Sequence, residues 1–540
     1  MNAACSDSRD APLFELLSPS ETGITFENTI TTSDSVNVQT DLYVYNGAGV
    51  SVGDIDNDGL SDIYLSGNMV SSRLYLNKGG MRFEDITESA GVGTTQWATG
   101  ASMVDIDNDG YLDIYVSVSG PEWSPTDNRR NLLFINNRNR TFTERAARHA
   151  LADTGFTIHA AFLDYDGDGC LDVFLLNNSP RDFSRADAIS SPVGRPGETP
   201  GSHNQLYRNS CSGDAAFTNV SERAGILRNP GYGLGVAVGD VNNDGRPDIY
   251  VSNDGMPSDV LYVNNGDATF TDKAGEWLKH TSYAGMGVDI ADFNDDGWPD
   301  ILQVDMMPPD LPGRKRMSGY MTYNRMLEAP RRGFRFDYSV NSLQLSNGVT
   351  PSGDVVFSEI ARMAGLAHTD WSWSALFADF DNDGRKDAFI SNGYPKAVND
   401  LDYQTAVFAA HRTRDSAAGR RSGLEMLKGV PPIDPPNHLF HNNGDLTFTD
   451  RAAAWGMDQR SLSYGAAYAD LDNDGDLDLV VNNIDAPAFL YRNRSRDGET
   501  RNREGEQANH YLQVRVDTRA PHGGIGTKLA LSAVGKTQHL

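Results

Sequence analysis

One short acidic motif, D-x-(D/N)-x-D-G-x-x-D, occurs seven times in the 540 residues of this chain. The interval between successive copies ranges from 51 to 91 residues. A unit that recurs at such intervals is typical of a repeat architecture, in which each unit buries its apolar face against the next one. The copies begin, in chain order, at Asp54, Asp105, Asp164, Asp240, Asp292, Asp379 and Asp470.

Each copy presents oxygen side chains at alternate positions of a short loop and a glycine at the sixth position. Carboxylate and amide oxygens are ligands of hard cations, of which calcium is the usual one, and the glycine permits a sharp turn. The sequence therefore predicts up to seven calcium sites. An EF-hand array is excluded, because the twelfth loop position, which requires a bidentate Glu, holds Leu65 and Val116 in the first two copies.

The placement of the acidic residues supports this interpretation. The chain has 46 Lys and Arg against 74 Asp and Glu, a formal net charge of −28, which argues against nucleic acid as a partner. The four oxygen positions of the seven motifs hold 26 carboxylates and two amides, Asn242 and Asn294, so that seven divalent cations would halve the net charge. A generally acidic surface would explain the total charge but not its placement.

Each motif lies between two segments with strand character. A segment rich in small residues, such as GLGVAVGD, precedes it, and an apolar segment, such as DVFLLNN, follows it. Two further strands with Asn-Gly or Gly-Asp turns complete the unit. Four short strands repeated seven times predict an all-β fold, a seven-bladed β-propeller over residues 13–500. Residues near 13–17 are expected to supply the last strand of the seventh blade.

The acidic motifs, the Gly-rich segments before them and the LYxNxG and FxD phrases resemble FG-GAP (VCBS-type) repeats, the blades of integrin-α-like propellers. The resemblance covers roughly residues 13–495. It implies that calcium is held by the side chains at positions 1, 3, 5 and 9 and by the backbone carbonyl at position 7. The residues implied are Asp54, Asp56, Asp58, Leu60, Asp62, Asp105, Asp107, Asp109, Tyr111, Asp113, Asp164, Asp166, Asp168, Cys170, Asp172, Asp240, Asn242, Asp244, Arg246, Asp248, Asp292, Asn294, Asp296, Trp298, Asp300, Asp379, Asp381, Asp383, Arg385, Asp387, Asp470, Asp472, Asp474, Asp476 and Asp478.

Residues 501–540 resemble the opening of an ASPIC/UnbV domain, which accompanies such propellers in cartilage-acidic-protein-like chains, many of them bacterial. A truncated C-terminal β domain is therefore expected. Residues 1–12 are expected to form a tail in which Cys5, preceded by small residues, is similar to the lipid-attachment cysteine of bacterial lipoproteins. An ordinary disordered terminus is the alternative. These features favour an exported protein, either secreted or held at the cell surface or outer membrane through that anchor.

Two further cysteines lie in one unit. Cys170 belongs to the third acidic motif, and Cys211 belongs to the turn of the later hairpin. In an antiparallel meander these two turns lie at the same end of the blade, so that a disulfide between them is predicted, with two free thiols as the alternative.

Four units have insertions between their second and third strands, at about residues 118–130, 179–203, 305–340 and 394–436. In a meander these loops lie at the end opposite the acidic loops. They are rich in Arg and aromatic residues, a composition suited to binding an anionic glycan or a protein ligand. Pairing with local acids such as Asp310 and Asp400 is the alternative. The partner-binding residues expected there are Arg129, Arg130, Arg314, Arg316, Arg331, Arg412 and Arg420.

Nothing in the sequence assembles an acid–base constellation, and H-E-x-x-H, P-loop and C-x-x-C motifs are missing. The sequence therefore predicts a calcium-binding extracellular propeller that acts as a binding or adhesion module for a glycan or protein. The alternative is a polysaccharide-degrading lyase or hydrolase that uses the insertion loops, with His411 as the first residue to examine.

Overall fold

The computed structural model describes residues 12–179, 201–211, 217–226, 231–255, 257–317, 327, 330–331, 335–411, 425–495, 514, 525–533 and 536–539. Seven four-stranded antiparallel sheets form the blades of a β-propeller, which confirms the predicted fold. Cys5 and most of residues 501–540 lie outside the described residues, so the predicted lipid anchor and the division into domains stay predictions.

The strands of the first four blades follow the chain order. Blade 1 consists of Val50–Gly53, Asp62–Leu65, Arg73–Asn77 and Phe83–Asp85. Blade 2 consists of Trp97–Val104, Asp113–Ser119, Leu132–Asn136 and Phe142–Glu144. Blade 3 consists of Thr157–Leu163, Asp172–Asn177, Gln205–Asn209 and Phe217–Asn219, and blade 4 of Gly233–Gly239, Asp248–Asn253, Val260–Asn264 and Phe270–Asp272.

The remaining blades complete the ring. Blade 5 consists of Val288–Ala291, Asp300–Gln303, Ser342–Val349 and Val355–Glu359, and blade 6 of Ser372–Ala378, Asp387–Asn392, His438–Asn442 and Phe448–Asp450. Blade 7 consists of Ser463–Ala469, Asp478–Asn483, Phe489–Asn493 and Phe14–Leu17. Short helices lie at Pro19–Thr22, Thr87–Ala90, Ala274–Trp277, Leu311–Met317, Ala361–Ala364 and Leu401–His411, with a 3₁₀ turn at Thr126–Arg129.

The ring is closed by strands from the two ends of the propeller. Phe14–Leu17 pairs antiparallel with Phe489–Asn493, and Phe14 lies opposite Asn493. This confirms the predicted closing strand near residues 13–17. Because every other blade takes its four strands in chain order from one stretch of the chain, blade 7 alone joins the two ends of the propeller.

The first strand of each blade lies at the centre of the ring and contacts the first strands of both neighbours. These strands need small residues because the backbones of neighbouring blades lie very close to each other at the centre. A Cβ added at Gly235 would lie 2.3 Å from the carbonyl oxygen of Met286 in the next blade. A Cβ added at Gly287 would lie 2.1 Å from the carbonyl oxygen of Trp373. Both distances are shorter than van der Waals contact allows, so glycine is needed at these positions.

The ninth residue of each acidic motif is a buried aspartate that joins three parts of its blade. In blade 2 the Oδ2 of Asp113 accepts a hydrogen bond from the Ile106 N–H at 3.0 Å, and its Oδ1 accepts one from the Asn136 N–H at 2.8 Å. Both oxygens therefore hold backbone groups, one from the loop and one from the third strand. The same pair of bonds is made by Asp62, Asp172, Asp248, Asp300, Asp387 and Asp478.

An asparagine at the end of the third strand links five of the seven blades to the blade before it. The side-chain amide of Asn136 donates to the carbonyl oxygen of Ile55 in blade 1 at 2.8 Å. Because the backbone N–H of the same Asn136 bonds the ninth aspartate, the two residues act as one unit. The corresponding inter-blade bonds come from Asn77, Asn264, Asn442 and Asn493.

A segment before blade 1, residues 29–46, lies across the centre of the ring at the insertion end. Tyr45 is buried there and makes an edge-to-face contact with Tyr394 of blade 6, with ring centroids 5.6 Å apart. Near blades 2 and 3 a cavity of only about 30 Å³ remains beside Tyr43 and Asn46. The segment therefore fills the mouth of the central channel.

The insertions lie between the second and third strands of blades 2, 3, 5 and 6, as predicted, and hence at the end opposite the acidic loops. The structure also shows a short parallel pair, Thr281–Ser282 with Asp337–Tyr338, that fixes the blade 5 insertion against the strand leading into that blade.

Buried acidic side chains lie near the junction of blades 4 and 5. The Oδ1 of Asp259 accepts a hydrogen bond from the Asn253 N–H at 2.7 Å, and its Oδ2 accepts one from the Tyr250 hydroxyl at 3.0 Å. Burial raises the pKa of Asp259 to about 7, and the negative charge of Asp337 adds to the shift. This carboxyl group is therefore costly to ionise inside the protein.

Other blades hold an asparagine at this position. In blade 2 the Oδ1 of Asn131 accepts from the Val118 N–H at 2.8 Å, and its Nδ2 donates to the Tyr115 hydroxyl at 3.0 Å. Asp259 thus replaces an amide that would make the same contacts without charge.

We expect Asp259→Asn to stabilise the protein at pH 8 by about 1–3 kcal/mol and to have little effect at pH 5. A carboxyl group whose folded-state pKa is raised adds stability at low pH and loses it as the pH rises through the folded pKa, here about 7. Chemical denaturation at both pH values measures the effect. Equal changes at pH 5 and pH 8 would contradict this account.

Asp113→Asn should destabilise the protein by about 1–3 kcal/mol in EDTA, because an amide nitrogen would face a backbone N–H that the carboxylate now accepts. Asp107→Asn, in the same loop but exposed, is the control and should change stability by less than about 0.5 kcal/mol. Urea denaturation in EDTA keeps metal binding out of the comparison. Similar losses for both variants would show that the ninth aspartate has no special structural role.

Candidate metal centres

The acidic loops are held in shape by hydrogen bonds from their own backbone. In loop 1 the carboxylate of Asp54 accepts from the N–H groups of Asp58 at 3.1 Å and Gly59 at 2.8 Å. The Oδ1 of Asp58 accepts from the Leu60 N–H at 2.9 Å. The first and fifth positions therefore curl the loop around a common centre. The same first-position bonds recur at Asp105, Asp240, Asp292, Asp379 and Asp470. In loop 3 Asp164 accepts from the N–H groups of Gly167 and Gly169.

The structure brings the predicted ligands of several loops together. Oxygens of Asp54, Asp56 and Asp58 lie within 4.8 Å of one another. The same holds for a triad in loop 2 (Asp105, Asp107, Asp113) and one in loop 3 (Asp164, Asp166, Asp172). Such separations fit a hard cation, whose oxygen ligands lie about 2.3–2.6 Å from the ion. The full sets of position 1, 3, 5, 7 and 9 ligands stay a prediction.

Two aspartates at the third position carry an oxygen that no protein group satisfies. The side chain of Asp56 is 8% exposed, and its Oδ1 is buried without a hydrogen-bond partner. The Oδ1 of Asp472 in loop 7 has the same surroundings. A buried carboxylate oxygen without a partner is unfavourable, and a bound cation would satisfy it. The residues present therefore fit a calcium ion.

The loops are electrostatically strained without a cation. Burial raises the pKa of Asp113 to about 8, and the negative charges of Asp107 and Asp105 add to the shift. Burial likewise raises the pKa of Asp172, Asp300 and Asp478 to about 8. A divalent cation would favour the ionised forms and so remove this strain.

One position in the third strand supplies a protein cation that bridges two loop carboxylates, and our sequence analysis missed it. In other loops a basic residue pairs with one carboxylate, as Arg140 does with Asp56 in loop 1, Arg138 with Asp109 in loop 2 and Arg246 with Asp244 in loop 4. In blade 3 the guanidinium of Arg208 bonds both Asp166 and Asp168, and in blade 7 that of Arg492 lies 3.2 Å from Asp472 and 3.8 Å from Asp474. Both arginines bridge the third and fifth positions of their loops. The residue just before the last position of the third strand carries this signal in the sequence.

In blade 6 the same position holds a histidine. The Nδ1 of His441 lies 3.3 Å from Asp381 and 3.4 Å from Asp387, and a hydrogen bond to Asp387 raises the pKa of the imidazole. The other four blades have apolar side chains at this position, namely Leu76, Ile135, Val263 and Leu345.

The structure joins Cys170 and Cys211 in a disulfide, with Cα atoms 5.8 Å apart, as predicted. The bridge ties acidic loop 3 to the turn after the third strand of its own blade. It therefore restrains the same loop that Arg208 contacts.

The basic residues of the insertions have local partners. The guanidinium of Arg129 is buried, lies 4.3 Å from the centre of the Phe156 ring and donates to the Ser124 carbonyl at 2.9 Å. Arg316 forms an ion pair with Asp400, which is the pairing that the sequence offered as the alternative. Arg130 pairs with Asp127 at 3.2 Å, and Arg314 lies 3.3 Å from His368. Arg412 and Arg420 lie outside the described residues.

Residues of types that can act in catalysis lie in strands, at a blade edge and at a helix end. The sequence GVSVG at residues 49–53 has the spacing of a nucleophile elbow, but Ser51 lies within the first strand of blade 1. Its hydroxyl accepts a hydrogen bond from the Met103 N–H at 3.0 Å. His438 pairs with Asp450 at 2.6 Å on the blade 6 edge. His411 ends the helix Leu401–His411.

None of the helices in the described part of the chain combines the length and the apolar character needed to cross a bilayer.

Comparison with known proteins agrees with this geometry. A family model described as an FG-GAP-like repeat matches residues 54–116, 123–175, 185–251, 240–302 and 430–481, which together make up just over half of the chain. Cartilage acidic protein 1 of Homo sapiens is 27% identical over 303 residues, and that of Mus musculus is 26% identical over 301 residues. Each match covers 50% of this chain but only 42% of the human protein and 43% of the mouse protein.

Among solved structures, the crystal structure of the V. cholerae biofilm matrix protein Bap1 aligns over 89% of this chain and 92% of its own, with 10% sequence identity and a TM-score of 0.38. The matched family segments contain six of the seven acidic motifs, and the structure places each of them between the first and second strands of a blade. The chain is therefore a member of the FG-GAP-like repeat family.

Proposed function

We propose that this protein is a calcium-stabilised propeller that presents its insertion loops as a binding surface outside the cell. The observation that carries the first part is the convergence of carboxylates in the acidic loops around buried oxygens without partners, as at Asp56. Calcium would hold together side chains that otherwise repel one another. It would act on loop structure, because these loops supply no group for chemistry on a substrate.

The seven loops should differ in affinity for calcium. Loops 1 and 2 have four carboxylates at the predicted side-chain positions and an apolar third-strand neighbour, Leu76 or Ile135. Only one carboxylate in each pairs with an arginine, Asp56 with Arg140 and Asp109 with Arg138, whereas the arginines of loops 3 and 7 each contact two. Loops 4 and 5 have one fewer charge, because Asn242 and Asn294 replace an aspartate. Loops 3 and 7 contain the guanidinium groups of Arg208 and Arg492, which compete with an ion for the same carboxylates. We therefore propose that loops 1 and 2 bind calcium most tightly.

Export is supported by two features of the chain. The Cys170–Cys211 disulfide suits an oxidising compartment, where such bridges persist. Calcium at the millimolar concentrations found outside cells suits sites of modest affinity. A surface-attached or secreted protein meets both conditions.

Metal analysis and thermal melts test the calcium proposal. We expect calcium to raise the melting temperature relative to EDTA, since an ion present at about 100 times its Kd stabilises the folded state by about 2.7 kcal/mol. Asp56→Asn in loop 1 should lower the bound calcium measured by mass spectrometry, whereas Asp472→Asn in loop 7, where Arg492 contacts two carboxylates, should lower it less. Identical melts in calcium and EDTA, with no bound metal, would refute the proposal.

The insertion end offers a surface for an anionic ligand. The helices Leu311–Met317 and Leu401–His411 pack together there and line a mainly apolar cavity of about 440 Å³ with Met317, Tyr403 and Val430. Lys315 is exposed on the first helix. An apolar hollow with cations nearby fits the stacking face and the charged groups of an acidic glycan, or the side chains of an acidic protein.

Binding of chondroitin sulfate to the calcium-loaded protein, with neutral dextran as the reference, tests the surface. We expect the double variant Lys315→Glu, Arg331→Glu to bind the sulfated glycan at least about fivefold more weakly, since each exposed charge contributes up to about 1 kcal/mol. Lys78→Glu, at the opposite end of blade 1, is the matched control and should bind normally. Equal affinity of all three proteins, or equal binding of dextran, would exclude an anionic ligand at this surface. Shortening of the glycan chain would indicate an enzyme instead.

A further inference from the structure

The acidic-loop end of blades 4, 5 and 6 is covered in part by residues 525–533 and 536–539, here called the C-terminal hairpin. Ala530–Ala533 pairs antiparallel with Lys536–His539. Nothing in the propeller sequence requires this contact, because the hairpin follows blade 7 in the chain but lies against blades on the other side of the ring.

The C-terminal hairpin contacts acidic loops 5 and 6 directly. The side-chain amide of Gln538 donates to the carbonyl oxygen of Gly384 in loop 6 at 2.8 Å. The Nζ of Lys386 donates to the carbonyl oxygen of His539 at 2.9 Å. The His539 ring also lies beside Gly297 in loop 5. These contacts use mainly backbone and neutral groups of the hairpin, and a backbone hydrogen bond from His539 also reaches the carboxylate of Asp295 in loop 5.

Loop 4 is different, because a charged group of the hairpin enters it. The Nζ of Lys528 lies 2.5 Å from the Oδ2 of Asp240 and 2.8 Å from the Oδ1 of Asn243. Asp240 is the first ligand position of the motif, and its side chain is only 7% exposed. The ammonium group of Lys528 therefore contacts a predicted calcium ligand of loop 4 directly.

Loop 4 also has a cation of its own, Arg246, but that guanidinium pairs with Asp244 and leaves Asp240 to another partner. The third-strand neighbour of loop 4 is Val263, where blades 3 and 7 have arginine. Its third position is Asn242, so a calcium ion would meet one fewer charge than in loop 1. Lys528 therefore faces a weak competitor, whereas a lysine placed at loop 1 or 2 would face a strong one.

A calcium ion in loop 4 and the ammonium group of Lys528 would repel each other if both bound the carboxylate of Asp240. Calcium would lie about 2.3–2.6 Å from its oxygen ligands, so the two cations would be adjacent in a partly buried site. Their repulsion opposes simultaneous binding. By thermodynamic linkage, the factor by which bound calcium weakens docking of the hairpin equals the factor by which the docked hairpin weakens calcium binding.

We propose that Lys528 is the cation that balances Asp240 in loop 4, and that the C-terminal hairpin and calcium compete for this loop. The acidic-loop end of blades 4 to 6 is then a docking surface for the chain's own C-terminal segment, and calcium weakens the docking. This inference rests on the proposed calcium binding, and it adds a regulatory role to one loop while the others remain structural.

Hydrogen exchange of peptides covering the C-terminal hairpin, in EDTA and in saturating calcium, tests the competition. In the unmodified protein calcium should speed exchange of the hairpin amides by about two- to fivefold, the range expected for one ion pair. Lys528→Met should exchange fast in both conditions and should bind calcium in loop 4 about two- to fivefold more tightly. Lys428→Met, an exposed lysine paired with Glu425 at the insertion end, is the matched control and should behave like the unmodified protein.

A second variant distinguishes the effect of calcium bound in loop 4 from the effect of calcium bound in the other loops. Asp244→Asn weakens the loop 4 ligand set but keeps Asp240 and Asn243, the two partners of Lys528. Its hairpin should exchange slowly in both EDTA and calcium. Exchange that calcium leaves unchanged or slows in the unmodified protein, while metal analysis shows bound calcium, would overturn the inference alone. Absence of bound calcium in every variant would overturn the proposed calcium sites and the inference with them.

Discussion

The buried aspartate at the ninth motif position is the interaction on which the architecture depends. Its two oxygens fix the acidic loop and the end of the third strand, and the asparagine that bonds it reaches the preceding blade. Five of the seven blades therefore position their own loop and the preceding blade with the same few atoms. A network of this kind satisfies its buried polar groups only when all members are present, which favours a single register for the ring.

The same aspartate concentrates negative charge at one end of the molecule. Loops with three or four carboxylates are tolerated because backbone N–H groups, arginines and, in our proposal, calcium share the charge. Blades 3 and 7 use arginines of their own third strands, Arg208 and Arg492, whereas loop 4 uses Lys528 from the C-terminal hairpin. The seven loops look alike in sequence but differ in the groups that balance their negative charge.

Much of the fold could be predicted because its signal is repeated seven times. The motif spacing, the small residues of the inner strands and the closing strand Phe14–Leu17 all follow from one pattern. The features that were missed depend on single residues. Asp259 departs from an asparagine found in other blades, and residues 29–46 have no periodicity that predicts their place in the channel mouth. The contact of Lys528 joins residues 288 positions apart and is not part of the repeated pattern, so nothing in the repeat predicts it.

The closing strand has a mechanical consequence. Phe14 is opposite Asn493, and the Arg494 N–H bonds the Leu13 carbonyl, so the two chain ends leave blade 7 side by side. Tension between residues 12 and 495 would then load these hydrogen bonds one after another, as in a zipper, rather than all at once in shear. A propeller held at one end and pulled at the other would open at blade 7 first, while the remaining six sheets stayed folded.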